Sequence, residues 1–176
     1  MRRLIALLIV LMPLALHAQD RAQDRAQERD EAFRNGLSAF QSGSFERARA
    51  AWETLAKAGD ARAQAGLGYM HYTGRGVPRD PARAAELFDR AANKGEPTAQ
   101  LFLATMHFRG DGVPRNLPLA LMWLELAMAG GQSETFELRG AIMQSMTDAE
   151  REESGRLLAR WRATHVTPSA TTGPRP

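Results

Sequence analysis

Two histidines, His71 and His107, stand 36 residues apart and are the side chains best suited to ligate a metal ion. Zinc needs imidazole nitrogens about 2 Å away, whereas helices in neighbouring units of a repeat pack about 8–10 Å apart. Sharing one ion would demand unusual rotamers and further ligands. The two rings are therefore read as structural or hydrogen-bonding groups, with no metal and no cofactor expected. Gly74-Arg75-Gly76 and Gly110-Asp111-Gly112 begin like phosphate-cradling loops, but both continue Val-Pro-Arg without a third glycine or a preceding strand. A dinucleotide site requires that context, so these are turns. Gly66-Leu67-Gly68 falls inside a helical stretch and is better explained by close helix packing. No G-x-S-x-G, H-E-x-x-H or S-x-x-K occurs, and lysine stands only at 57 and 94. Glu152 and Glu153 are neighbours that point apart on a helix. The absence of cysteine excludes thiol nucleophiles, thiolate zinc sites and thiol redox chemistry. No catalytic residue is assigned, and the chain is read as a non-enzyme.

The elements that carry these residues recur. Residues 61–96 align with 97–132 at an offset of 36, so that Ala63, Gln64, Leu67, Met70, His71 and Gly74 meet Ala99, Gln100, Leu103, Met106, His107 and Gly110. Gly76-Val77-Pro78-Arg79 meets Gly112-Val113-Pro114-Arg115 in the same register. A period of this length marks stacked repeats. Within each unit, Ala63, Leu67, Met70, His71 and Gly74 fall at helical spacing, and the glycines that follow supply the left-handed turn that ends helices. Asp80 is placed to cap a second helix with Pro81 in its first turn, and Asn116 takes the capping place in the next unit. Ala84, Leu87, Phe88, Ala91 and Ala92, then Ala120, Trp123, Leu124, Ala127 and Met128, form apolar stripes that face a core. An earlier partial unit keeps the same offset at Arg47, Ala48, Trp52, Ala56 and Gly59, but its connection, Ser42-Gly43-Ser44, lacks the long loop.

The predicted fold is all-α: a short right-handed α-solenoid of antiparallel helix pairs with a C-terminal capping helix. Residues 1–18 read as a signal peptide, 19–31 as a charged linker, 32–60 as a partial repeat, 61–96 and 97–132 as full repeats, 133–166 as a helical cap and 167–176 as a disordered tail. Thr147 and Glu150 make a capping box for a helix carrying Ala149, Leu157, Leu158 and Trp161, and Trp52, Trp123 and Trp161 are expected in the core. Arg2 and Arg3, the 13 apolar-rich residues 4–16 and then His17-Ala18-Gln19 have the form of a secretory signal cut after Ala18, the alternative being an uncleaved anchor. The run is shorter than the roughly 20 residues that cross a bilayer, so no stable membrane insertion is expected after cleavage. A periplasmic or secreted location follows, and without disulfides the core alone must hold the fold. Removing Arg2 and Arg3 leaves 21 basic against 20 acidic residues with no dense basic block, which argues against nucleic acid. Residues 19–31 repeat charges every four residues without an apolar stripe, the mark of a solvated linker or frayed helix, or of a partner-binding arm.

At Ala61-Arg62-Ala63-Gln64, Leu67-Gly68, Met70, Gly74-Arg75-Gly76-Val77, Asp80, Ala84, Phe88, Ala91-Ala92 and Gly95 the chain resembles the Sel-one-like repeat family, relatives of the tetratricopeptide repeat with a longer loop between paired helices. The next unit matches with Ala104 for glycine and Asn116 for aspartate, and the first unit matches only in its second helix. His71 and His107 replace a customary tyrosine. The resemblance implies an adaptor, and exported bacterial members that modulate envelope proteins or sensor kinases. It also singles out family-variable positions on the first helices: Tyr69, Tyr72 and Thr73, then Phe102, Thr105, Phe108 and Arg109. Such helices line the concave face on which helical repeats bind, and aromatics beside arginine suit binding hot spots. Two arrangements stay open for Tyr72 and Phe108: exposed rings for a partner, or rings packed on neighbouring helices. Arg79 and Arg115 are candidates to bind acidic groups or to form loop salt bridges. The expected partner is an envelope protein or peptide, with a glycan-binding module as the alternative and an envelope hydrolase as a third reading.

Overall fold

The computed structural model describes residues 2–132 and 135–165, with side chains from residue 20 onward, and every described element is helical. The order is α1 (Arg2–Gln41), α2 (Phe45–Lys57), α3 (Ala61–Thr73), α4 (Pro81–Ala92), α5 (Pro97–Arg109), α6 (Leu117–Ala129), α7 (Phe136–Gln144) and α8 (Asp148–His165). Contacts divide the chain into two compact units, Met1–Leu55 and Ala56–Pro176. The expected tail, 167–176, lies outside the described residues, as do the side chains of the expected signal peptide. Residues 20–31 belong to α1, and each is exposed, because nothing apolar in this charged stretch seeks a core.

In the first unit, α1 and α2 meet at Trp52. Phe33 and Phe40 lie 6.1 and 5.6 Å from its ring, and the indole N–H donates to the Phe33 carbonyl at 3.5 Å. Gly36 makes this contact possible, since a Cβ there would sit 2.5 Å from the indole nitrogen. In α3 the same part falls to Gly68, whose Cβ would lie 2.9 Å from the Phe88 ring. The first helix of the first pair therefore does correspond to those of the later pairs, shifted by four residues to a spacing of 32. Its connection, residues 42–44, is four residues shorter than the loop at 74–80, which removed it from the register of 36 that holds for the second helices.

In the second unit the pairs α3–α4 and α5–α6 pack side by side and stack through α4 and α5. All five positions of the α4 stripe are buried, as are four of the five in α6, with Met128 half-buried. Phe88 is fully enclosed, a burial that contributes about 2–3 kcal/mol. Gln64 and Gln100 act in the same way, each side-chain amide donating to the carbonyl of Ala56 or Ala92 in the preceding helix, at 3.2 and 3.1 Å. Each amide is a second donor to a helix-end carbonyl that also accepts the N–H of Gly59 or Gly95, so it ties the next hairpin to the helix before it. Both first helices end in a left-handed glycine, Gly74 and Gly110, each with φ 73°, and the N–H groups of both bond back to Met70 and Met106. Asp80 and Asn116 then cap the second helices through Arg83 N–H and Leu119 N–H at 2.9 and 3.0 Å. The two Gly-Val-Pro segments are matching bends, closed by Asp80 N–H and Asn116 N–H on the carbonyls of His71 and His107.

The cap holds one helix that periodicity does not single out, α7, which buries Ile142, and the turn after it buries Met146. Arg151 of α8 donates to the carbonyls of Met143 and Met146, and Glu150 accepts from the Thr147 N–H and hydroxyl at 2.8 and 2.9 Å, forming the capping box. Trp52 and Trp123 are core residues, whereas Trp161 is half-buried, edge-on to Trp123 at 6.3 Å. Ala149 is exposed, because α8 rests on α6 through Leu157, Leu158 and Trp161 and not through its first turn.

Candidate binding surface

Tyr69 and Tyr72 on α3 cluster around Phe102 on α5. Its ring stacks on Phe88 at 4.8 Å and 4°, and it receives Tyr69 and Tyr72 edge-on at 5.5 and 5.6 Å. These geometries are favourable for rings whose positive edges meet a negative face. Tyr69, Tyr72, Phe102 and Phe108 are all half-buried: each has one side on the core and one towards solvent. Tyr72 therefore combines the two arrangements left open by the sequence, as it packs on α5 and still shows part of its ring. Thr105 is half-buried with its hydroxyl spent on the Leu101 carbonyl at 3.0 Å, as the Thr73 hydroxyl is on Tyr69 at 2.7 Å. Arg109, at the end of α5, is exposed.

Arg79 and Arg115 hold equivalent places but keep different company. Each guanidinium carbon lies 5.9 Å from the ring seven residues before it in the same repeat, Tyr72 or Phe108. Arg79 also grips both carboxylate oxygens of Asp111, at 2.8 and 3.1 Å, so it is a loop salt bridge between successive units. Arg115 donates through Nε to the Phe108 carbonyl at 3.0 Å and has no ion pair among the described residues. Sequence reasoning treated the two alike and missed Asp111. The available clue was its opposite charge, 32 residues beyond Arg79 and inside the glycine turn. Phe40 was also missed. It occupies the place of Tyr72 and Phe108 once the shorter loop is allowed for, and packs on Phe45 at 5.3 Å. Phe136, 72% exposed at the start of α7, follows no repeat position that would have marked it.

The histidines do not converge on a ligand set: among the described residues no three His, Asp or Glu side chains cluster to hold an ion. His107 Nδ1 faces the Pro114 carbonyl at 3.4 Å, while His71 Nδ1 is buried without a hydrogen-bond partner there. Burial pushes the His107 pKa below its ordinary value, against the smaller opposing pull of the Pro114 carbonyl and Asp89. Burial works to raise the Asp60 carboxyl, but hydrogen bonds from Arg62 and the α3 backbone outweigh it and leave the group low. The first unit contains an open hollow of about 360 Å³ lined by Asn35, Ser38, Ser42, Ser44 and Arg47 among others. In α3 the residues matching Asn35 and Ser38 are buried Leu67 and Met70, so polar side chains line the hollow at places that the later repeat fills with apolar ones.

The Sel1 repeat family matches residues 61–96 and 97–131, the two units bounded by these bends. The chain carries two Sel1 repeats. Its fold is similar to that of c5321, a protective antigen of uropathogenic Escherichia coli with an SLR fold, at a TM-score of 0.72 and 21% identity. That match covers 84% of this chain and only 35% of the antigen. A Sel1 repeat protein from Oxalobacter formigenes is similar at a TM-score of 0.58 and 28% identity, over 69% of this chain and 94% of the other. No curated protein matches the sequence. Sel1 repeats are generally protein-interaction modules.

Proposed function

We propose that this Sel1-repeat chain is an exported, non-catalytic adaptor of the cell envelope that holds a peptide segment or loop of another protein against the first-helix face of α3 and α5. The observation that carries this reading is the half-buried cluster of Tyr69, Tyr72 and Phe102, with Phe108 and Arg109 beside it on α5. Rings fixed by their neighbours lose little entropy when a partner covers their open side, which makes them efficient anchors. A sugar-binding surface would favour open ring faces with amides alongside; here the rings are packed edge-to-face and flanked by arginine. Export is supported by the apolar run at residues 4–16 after Arg2 and Arg3.

A photo-crosslinking residue at position 105, in cells of the native host, tests the surface directly. We expect a discrete adduct that falls about tenfold when Phe108→Ala and Arg109→Glu are combined, with the helical circular dichroism retained. An adduct formed equally well from exposed position 90 on α4, or one indifferent to the double variant, would remove the surface from consideration. N-terminal sequencing of the chain recovered from the envelope should begin after Ala18, and recovery in the cytoplasm alone would refute export.

A further inference from the structure

We infer that Arg115 is the residue that reads the partner's chemistry, by taking a carboxylate that Arg79 already finds within this chain. The inference rests on the adaptor reading and names the group recognised. The two arginines are one repeat apart and share a posture, each guanidinium carbon 5.9 Å from its ring. Arg79 shows what that posture is for: Asp111, presented on a glycine turn, sits on it at 2.8 Å. One repeat beyond Asp111 stands Thr147, which is neutral. Glu150 is near enough for Arg115 to help depress its carboxyl, but the main causes of that depression are the Thr147 N–H and hydroxyl, both of which bond to its Oε2. Arg115 is thus held by its Nε, exposed, and without an ion pair among the described residues, leaving both terminal nitrogens to be shared with another molecule. A guanidinium fixed in this way suits a carboxylate fork, and its geometry is partly set in advance. The ligand is an aspartate or glutamate side chain on a turn of the protein partner, laid beside Phe108.

The chain supplies its own probe. A capped peptide of residues 110–114 (Gly-Asp-Gly-Val-Pro), and the same peptide with asparagine at its second position, are titrated into the full chain while the arginine Nε–H resonances are followed by NMR. The Arg115 signal should move saturably with the aspartate peptide and about tenfold less readily with the asparagine one. The Arg79 signal should stay still. Arg115→Gln should abolish the response, and Glu150→Gln, which keeps the cap but removes a competing charge, should strengthen it. Equal response to both peptides, no response up to the solubility limit, or a response surviving Arg115→Gln would each overturn the inference. The adaptor reading is separable: a crosslinked partner whose capture ignores Arg115→Gln leaves that reading intact and defeats this one, whereas peptide binding without any adduct does the reverse.

Discussion

Gly68 has no room for a methyl group, because its Cβ would lie 2.9 Å from the enclosed Phe88 ring, which is itself stacked on Phe102. The next unit carries Ala104 and Leu124 at these positions, the larger first residue coming with the smaller second one. Gly68→Ala gains about 1 kcal/mol of helix propensity yet should destabilise by about 1–2 kcal/mol net, as the overpacked ring is forced to shift. Combined with Phe88→Leu, the loss should fall short of the sum of the single losses by about 1 kcal/mol in urea denaturation. Strict additivity would show that the two residues do not share this contact. His107 supports a second expectation. Burial lowers its folded-state pKa, so the imidazole is neutral in the fold and takes up a proton more readily when the chain unfolds. Its contribution is complete above the ordinary value near 6.5 and is lost as pH falls through the lowered folded value. His107→Gln should therefore flatten the decline in stability between about pH 7 and 5. Parallel profiles for the two proteins would contradict the assignment.

At the scale of the element, the seven-residue loop does more than reverse the chain. Gly112 has φ +74°, and a Cβ on it would stand 2.5 Å from the Pro81 carbonyl group, so this loop is seated against the start of α4. Arg79 from the preceding loop clasps Asp111 beside it, adding an ion pair to the steric fit. The ion pair is more than a third exposed on its arginine side and contributes little, about 0.2–1 kcal/mol. The steric fit governs. Gly112→Ala should cost about 2–4 kcal/mol through left-handed strain and backbone collision, while Arg79→Gln should cost less than about 1 kcal/mol. Thermal unfolding of the two variants ranks the effects, and the reverse order would mean that charge holds the loops.

Across the stacked pairs of the second unit, each helix pair buries a face that the next must cover, and the last one needs a cover of another kind. Here α8 supplies it, with Trp161 edge-on to Trp123 and Leu157 and Leu158 on the same cluster. Stacked repeats depend on such terminal elements, because an uncovered apolar face invites association. Trp161→Ala should lower stability by about 1–3 kcal/mol, given that the ring is only half-buried, and should shift the Trp123 fluorescence to the red as water reaches it. Unaltered emission would show that α8 does not shield that side.

The amino-acid order alone determined the helix pairs, their caps and the period of 36. Asp80, Asn116, Gly74 and Gly110 act through bonds to residues within a few positions, and local geometry of that kind is written in local sequence. Gly36 and Phe40 escaped because a loop shortened by four residues breaks a fixed register, although the packing they make is the same. Whether Tyr72 is open or packed depended on Phe102, 30 residues away on another helix. What separates Arg79 from Arg115 depended on a carboxylate that only folding brings to one of them. Types and periods of side chains dictate which elements form, whereas the company each side chain keeps is fixed by contacts between distant segments, and those exist only once the helices have stacked.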